Sequence, residues 1–342
     1  MSDLDLLTEK AIRHLQPLLA KNAGMGILVN PFSADPLAER LTTLAAKPDG
    51  KYPLQIDPRW LAGRPPPYVL WLSDCERQFS IISASIHVAA EERLGLYGSD
   101  YQTRSLCAWL TPAQSDTAQT FAKHLSRGTT VINPNGQRIG FRFHDPRITL
   151  HLPGVLAAEQ WQALAGPCVE DWYLMDEECI VRKIEGDAIA ADGQVSWNGN
   201  TSFLQFSSEQ WQALLLISHA NRMAQLAPQW DIPQRPKFSS LLEIARRAQD
   251  WMLVDEADRL TFARHVLRIH PRLDEHPTIQ SLLRNHLSSA KGGEPTNSGE
   301  LSDQLDSLDD MQWQRIQTDL AASTTPFKSP IHHTSRATNH EY

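Results

Sequence analysis

NPNGQRIGFRFHDPRITLHLPGVLAAEQWQALAGPCVEDW, residues 133–172, reads as strand, tight turn, strand, helix, helix. Thr129–Asn133 and Gln137–Phe143 are β-biased runs on either side of Pro134-Asn135-Gly136, and Asn-Gly supplies the positive φ that a hairpin turn needs. Alternation along the second strand puts Ile139, Phe141 and Phe143 on one face and Gly140, Arg142 and His144 on the other. Asp145-Pro146 then stops the strand and starts a helix. The Asp carboxylate accepts free amides at the N-cap, and Pro suits a first helical position that needs no N–H. That helix runs out at Pro153-Gly154, and a second, Ala157–Ala165, closes at Gly166-Pro167.

Phe141 and Phe143 suit a core, and Asp145 suits a cap. Arg147, in the first helical turn, opposes the helix dipole unless a carboxylate pairs with it. An ion pair with Asp145 or a role toward a partner accounts for it, and the ion pair is favoured.

Around this segment the chain has 342 residues and a formal net charge of -8. The length suits two lobes plus tails. The charge argues against a phosphate-binding surface, so nucleic acid is not expected. The start, MSDLDLLTEK, is acidic where a secretory signal needs basic residues. No apolar run approaches the ~20 residues of a membrane helix. Cys75, Cys107, Cys168 and Cys179 lack the paired spacing of a zinc site or a disulfide framework. The expectation is a soluble, cytoplasmic protein with no cofactor.

Outward from the central stretch, residues 3–21 carry leucines at helical spacing. GILVN (Gly26–Asn30), YVLWL (Tyr68–Leu72) and SLCAWL (Ser105–Leu110) read as buried strands. Helices are expected over Leu37–Ala46 after Asp35-Pro36, over Asp74–Glu92, and over Ala113–Leu125 after Thr111-Pro112; residues 47–67 read as loop. WYLMD and CIVRKI add two short strands after the central stretch. The alternation predicts an α/β lobe over 1–186, with a mixed sheet flanked by helices. A polar linker (Asp187–Asn200) leads to an all-α lobe over 201–287. Its first helix opens on a Ser207/Gln210 capping box, and Ser239–Asp250, Asp255–Ile269 and His276–His286 follow. Residues 288–342 read as a largely disordered tail with a short amphipathic helix near 303–321. That helix suits docking back on the helical lobe or binding a partner, and docking back is favoured.

Catalytic motifs are missing from the sequence: no G-x-S-x-G, P-loop, G-x-G-x-x-G or H-E-x-x-H occurs. His265, His270, His276 and His286 are spaced five, six and ten apart, so no two share a helical face within one turn, and capping or solvated roles suit them better than a metal. Glu170-Asp171 and Asp176-Glu177-Glu178 suit turns and strand edges better than an acid/base pair.

GQRIGFRFHDPRI (136–148), with Gln160 and GPCVEDW (166–172), resembles the Phe-Arg-Phe … Asp-Pro-Arg signature of the type VI secretion system adaptors, or effector chaperones, the family of the DUF4123 domain. RAQDWMLVDEADRLTFARHVLRIHPRLDEHPTIQSLL (247–283) resembles the helical C-terminal half of that family, with Trp251 where a helix-ending glycine is expected. The resemblance implies a non-enzymatic cytoplasmic adaptor. It would hold a type VI effector toxin, by its N-terminal region, and load it onto the valine-glycine-repeat (VgrG) spike protein. The adaptor would be monomeric before cargo binding, with one effector at the lobe junction. Phe141, Arg142, Phe143, His144, Asp145, Pro146, Arg147 and Trp172 carry the family motif and are the candidate partner-binding residues. Two alternatives stay open: an α/β hydrolase or transferase with a helical cap that uses His144 and Asp145, and a structural scaffold of the secretion baseplate. Neighbouring side chains on a strand diverge, so His-Asp adjacency alone makes no dyad.

Overall fold

In the computed structural model, which describes residues 3–19, 24–31, 34–96, 104–113, 117–166, 168–184, 203–232, 235–290 and 301–323, contacts divide the chain into two units, Met1–Ser218 and His219–Tyr342. The first unit opens with α1 (Asp3–Leu19), β1 (Met25–Val29), α2 (Pro36–Thr43), β2 (Gly50–Pro53), α3 (Pro58–Leu61), β3 (Tyr68–Leu72) and α4 (Phe79–Leu94). It continues with β4 (Leu106–Pro112), α5 (Ala118–Arg127), β5 (Thr130–Ile132), β6 (Arg138–Gly140), α6 (Pro146–Thr149), α7 (Ala158–Ala165), β7 (Val169–Met175), β8 (Val181–Ile184) and β9 (Leu204–Gln205).

The large sheet has six strands in the order β2-β3-β1-β4-β7-β8, and each neighbouring pair is antiparallel. The helix between β3 and β4 still acts as a crossover, since these two strands run parallel to each other. However, β1 lies between them and opposes both. Parallel pairing occurs between β5 and β9, in a small sheet of order β6-β5-β9.

Both faces of the large sheet are covered, which is why its inner strands read as unbroken apolar runs. Leu15, Leu41, Ile82 and Ile86 join Ile27, Leu70 and Trp109 in one core. Phe121, Phe143, Trp161 and Leu164 join Leu28, Val69, Leu110 and Trp172 in the other.

Three local expectations change. Thr111-Pro112 ends β4, and the following helix begins only at Ala118, where Thr117 Oγ1 accepts from Thr120 N at 3.2 Å. Residues 47–67 contain the edge strand β2 and the one-turn α3; β2 (GKYP) is too short and polar to signal itself, and its Pro is tolerated at an edge. The second hairpin strand stops at Gly140, and Arg142–Asp145 is a turn closed by Asp145 N donating to Arg142 O at 2.9 Å. His144 is therefore buried along with Phe143.

Helix α8 (Ser208–Leu226) opens on the expected box: Gln210 N donates to Ser207 Oγ at 3.2 Å, and Ser207 N donates to Gln210 Oε1 at 3.0 Å. The second unit adds α9 (Phe238–Asp250), α10 (Glu256–Arg268), α11 (Pro277–Ala290), α12 (Leu301–Asp306) and α13 (Asp310–Ala322). The amphipathic segment near 303–321 thus falls on α12 and α13. Both dock within this unit: Leu301, Leu305, Ile316 and Leu320 are buried, and Trp313 stacks on His265 at 5.4 Å. The linker Asp187–Asn200 and residues 291–300 and 324–342 lie outside the described residues.

At the end of α9, Trp251 keeps φ at -77° and Met252 takes the left-handed turn at +50°. Arg259 fixes that turn by donating to Leu253 O at 2.7 Å and to Val254 O. Left-handed backbone is costly for a residue with a Cβ, and the Met252 side chain is 54% exposed, so it gains little packing in return. Met252→Gly is expected to raise stability by about 0.5–1 kcal/mol, read from the urea midpoint. A fall instead would show that the side chain holds the turn.

Candidate functional site

The motif is organised from the hairpin loop onward. Asn133 Oδ1 accepts from Asn135 N at 3.1 Å and from Gln137 N at 2.9 Å, and Gly136 takes a φ of +76°. The turn needs that value, and Gly adopts it without steric cost. The two phenylalanines then enter the core. Phe141 meets Phe206 edge-on at 5.2 Å, Phe143 meets Trp172 at 6.0 Å, and Trp172 meets Trp161 at 5.7 Å. Trp172, far along the sequence from the motif, is therefore part of its packing.

Asp145 is the polar centre. As the N-cap of α6 it accepts from Arg147 N at 3.1 Å. Arg147 also grips it with Nε at 2.9 Å and Nη2 at 2.7 Å, and Arg142 Nη2 adds a bond at 3.1 Å. Burial alone would raise the Asp145 carboxyl, but the charges of both arginines and the Arg147 bonds hold it well below the usual carboxylate range. Asp145 in turn raises Arg147 in spite of burial. An arginine in a first helical turn is thus stabilised by the cap carboxylate beside it. Thr149 Oγ1 closes the turn, donating to Asp145 O at 3.0 Å and to Phe143 O.

His144 is buried, and its Nδ1 has no hydrogen-bond partner among the described residues. Burial, then the Arg142 charge, lower it to about 4, with Asp145 only partly compensating. The imidazole is neutral at ordinary pH. It makes no hydrogen bond to Asp145, whose two oxygens are held by Arg142 and Arg147. Of the motif residues 141–147, Arg142 alone is exposed, with 48% of its side-chain surface open; Arg147 is half-buried and the other five are buried.

Behind the turn lies a second ionic layer that no local pattern in the sequence marks. Glu177 pairs with Arg104 at 3.1 Å and approaches Arg93 at 4.0 Å, and its charge also supports Arg147. Arg93 donates to Met175 O at 2.8 Å and to Asp176 O at 3.2 Å, tying the end of α4 to the end of β7. Arg104 donates to Glu92 O at 2.5 Å. The Glu92 carboxylate accepts from Ser105 N at 2.9 Å, from Ser105 Oγ and from Leu106 N at 3.3 Å. Burial pushes this carboxyl up, against those bonds and Arg93.

Three carboxylates of the acidic cluster are held in ion pairs: Asp171 meets Lys183 at 2.9 Å, Asp176 meets Arg182, and Glu177 is held as above. The four histidines serve helix ends and packing. His270 and His276 Nδ1 accept from Arg272 N at 3.1 Å and Thr278 N at 3.2 Å, His265 Nδ1 lies 2.9 Å from Thr261 O, and His286 pairs with Asp258 at 2.9 Å. Among the described residues no three His, Cys, Asp or Glu side chains are grouped to hold a metal ion, and no helix is long and apolar enough to cross a membrane.

A family model described as "Domain of unknown function (DUF4123)" matches residues 67–163, from β3 through most of α7, and so contains the whole Phe141–Arg147 turn. No curated protein and no solved structure matches the chain significantly.

Proposed function

We propose that the protein is a cytoplasmic adaptor of the type VI secretion system, which holds an effector toxin through surface contact and passes it to the VgrG spike protein. The observation that carries this reading is the turn itself. Residues 141–147 of the stretch resembling the adaptor signature form one ion-paired turn, buried apart from Arg142 and part of Arg147, inside the span matched by the DUF4123 model. Asp145 caps a helix and binds two arginines, which is structural work. A hydrolase built on His144 and Asp145 would need them hydrogen-bonded, and Asp145 is committed elsewhere. Cargo would be released by competition from the spike complex, since a partner shifts an equilibrium only through differential affinity.

The test is co-expression of the full chain with the products of neighbouring genes, followed by affinity purification. Retention of one toxin per adaptor, and of the spike protein in the same complex, is the expected result. Failure to retain either, or turnover of a small-molecule substrate by the purified chain alone, overturns the reading.

A further inference from the structure

Helix α13 docks on the helical unit but buries little of itself. Of its thirteen residues, Ile316 and Leu320 are buried and Trp313 is half-buried, while the other ten are exposed. Helix α10 has the same length and leaves only Glu256, Ala257 and Arg268 exposed. The preceding α12 is held more firmly. Asp258 on α10 accepts from Leu301 N at 3.1 Å with one oxygen and meets His286 of α11 at 2.9 Å with the other, and Leu301 and Leu305 are buried.

The ties along α13 are few. Trp313 lies over His265 with the ring planes 22° apart. Further along, Asp319 lies 3.5 Å from His276 Nε2, at the outer limit of a hydrogen bond, and keeps 53% of its side-chain surface open. Arg272 donates to Ser323 O at 3.0 Å and to Ser323 Oγ at 3.2 Å. Beside these contacts remains a cavity of about 600 Å³, lined by Arg272, His276, Pro277 and Thr278 together with Ile316 and Leu320 of α13. Closely packed elements leave few voids larger than a water molecule, so α13 covers this wall without filling it.

What α13 presents has the form of a helical ligand. Trp313, Ile316 and Leu320 stand at i, i+3 and i+7, the spacing by which an amphipathic helix seats its apolar face in a groove of another protein. Asp319, at i+6, adds a carboxylate. His276 Nδ1 accepts from Thr278 N at 3.2 Å, so the ring proton belongs to Nε2, the nitrogen that faces Asp319. The groove therefore offers a donor where a carboxylate arrives and a flat ring where an aromatic anchor arrives.

We infer that α13 is a displaceable resident of a helix-accepting groove formed by α10, the Leu273–Glu275 turn and the start of α11. An amphipathic helix of a partner protein takes its place, with an aromatic anchor, aliphatic anchors at i+3 and i+7, and a carboxylate at i+6. The exchange needs only differential affinity, and α13 gives up few buried contacts when it leaves. This rests on the adaptor reading only for the identity of the partner.

The probe is a fluorescent peptide of residues 309–323, titrated into the full parent chain and into the full chain carrying Ile316→Asp/Leu320→Asp. The variant is expected to bind it about tenfold more tightly than the parent, because its own α13 no longer competes. Trp313→Ala within the peptide should weaken binding to the variant about tenfold. If the double variant melts early, Leu320→Ala serves in its place, with the same direction of change. A folded variant that ignores the peptide, or equal binding by parent and variant, overturns the inference. So does a variant that becomes a dimer by light scattering, because a second copy would then fill the groove. Hydrogen exchange of the parent chain checks the resident directly. Amides of α13 should exchange at least about tenfold faster than those of α10, and exchange in step would make α13 an integral part of the unit and sink the proposal. Purification with the toxin and spike proteins separates the two readings. Components retained by a chain whose groove ignores the peptide leave the adaptor standing without the exchange; peptide binding with no secretion component retained does the reverse.

Discussion

Asp145→Ala is expected to cost about 3–5 kcal/mol of unfolding free energy, because removing one partner of a buried ion pair leaves the other charge uncompensated. Here two arginines lose their shared carboxylate and α6 loses its cap in the same change. Asp145→Asn keeps a cap acceptor and removes the charge, so its loss should be clearly smaller. Urea unfolding of the two variants beside the parent chain measures both. The pH profile supplies an independent check. The folded carboxyl lies below its unfolded value of about 4, so its stabilisation is complete above pH ~4 and is lost as the pH falls further. His144 acts in the same direction at higher pH. It is lowered to about 4 in the fold, so acidification from pH ~6.5 toward that value favours the unfolded chain. Asp145→Ala should flatten the acid limb below pH 4 and leave the histidine limb in place. A loss under 1 kcal/mol, or an unchanged acid limb, would mean that the turn is held by its phenylalanines alone.

Glu92→Ala should be comparably damaging, by about 3–5 kcal/mol, since three buried donors are left without their acceptor. The donors are Ser105 N, Ser105 Oγ and Leu106 N, whereas Arg104 keeps the Glu92 carbonyl and Glu177. The pH dependence has the opposite sign to that of Asp145. Burial raises the folded carboxyl, so its contribution is fully present below its unfolded value of about 4.3 and declines as pH rises through the raised one. Glu92→Gln keeps one acceptor and has no charge to bury. It should lose less than half of what the Ala variant loses at neutral pH, and it should abolish the decline on the alkaline side. Equal losses for Gln and Ala would show that the charge, not the hydrogen bonding, holds α4 to β4.

These two residues also divide what could be read early from what could not. Asp145 was legible because capping is local: its acceptor oxygen, the following proline and the arginine needing a counter-charge lie within three positions of one another. Glu92 was not legible. Its partners are brought to it by the pairing of β4 with β1 and of β7 with β4, which no spacing in the chain encodes. The same distinction applies to Trp60. In sequence it lies in a proline-rich loop, and its place on Gly140 follows only once α3 packs against the hairpin.

The strands show the boundary most plainly. GILVN, YVLWL and SLCAWL announce buried strands, because an apolar run with no polar alternation must be covered on both faces. Helix crossovers between such strands suggest parallel neighbours, and β3 and β4 do run parallel. Inserting β1 between them made the sheet antiparallel, a choice of partner that hydrophobic pattern leaves open. By itself, then, the sequence determined which segments are buried, the helix starts capped by Asp35, Asp145 and Ser207, and the hairpin–cap turn at residues 133–149, all of which depend on groups a few bonds apart. The tertiary structure alone decided strand order, the ionic layer behind Asp145 and the packing of Trp60 on Gly140. Those depend on which distant surfaces exclude water together, and burial energy scales with area without specifying a partner.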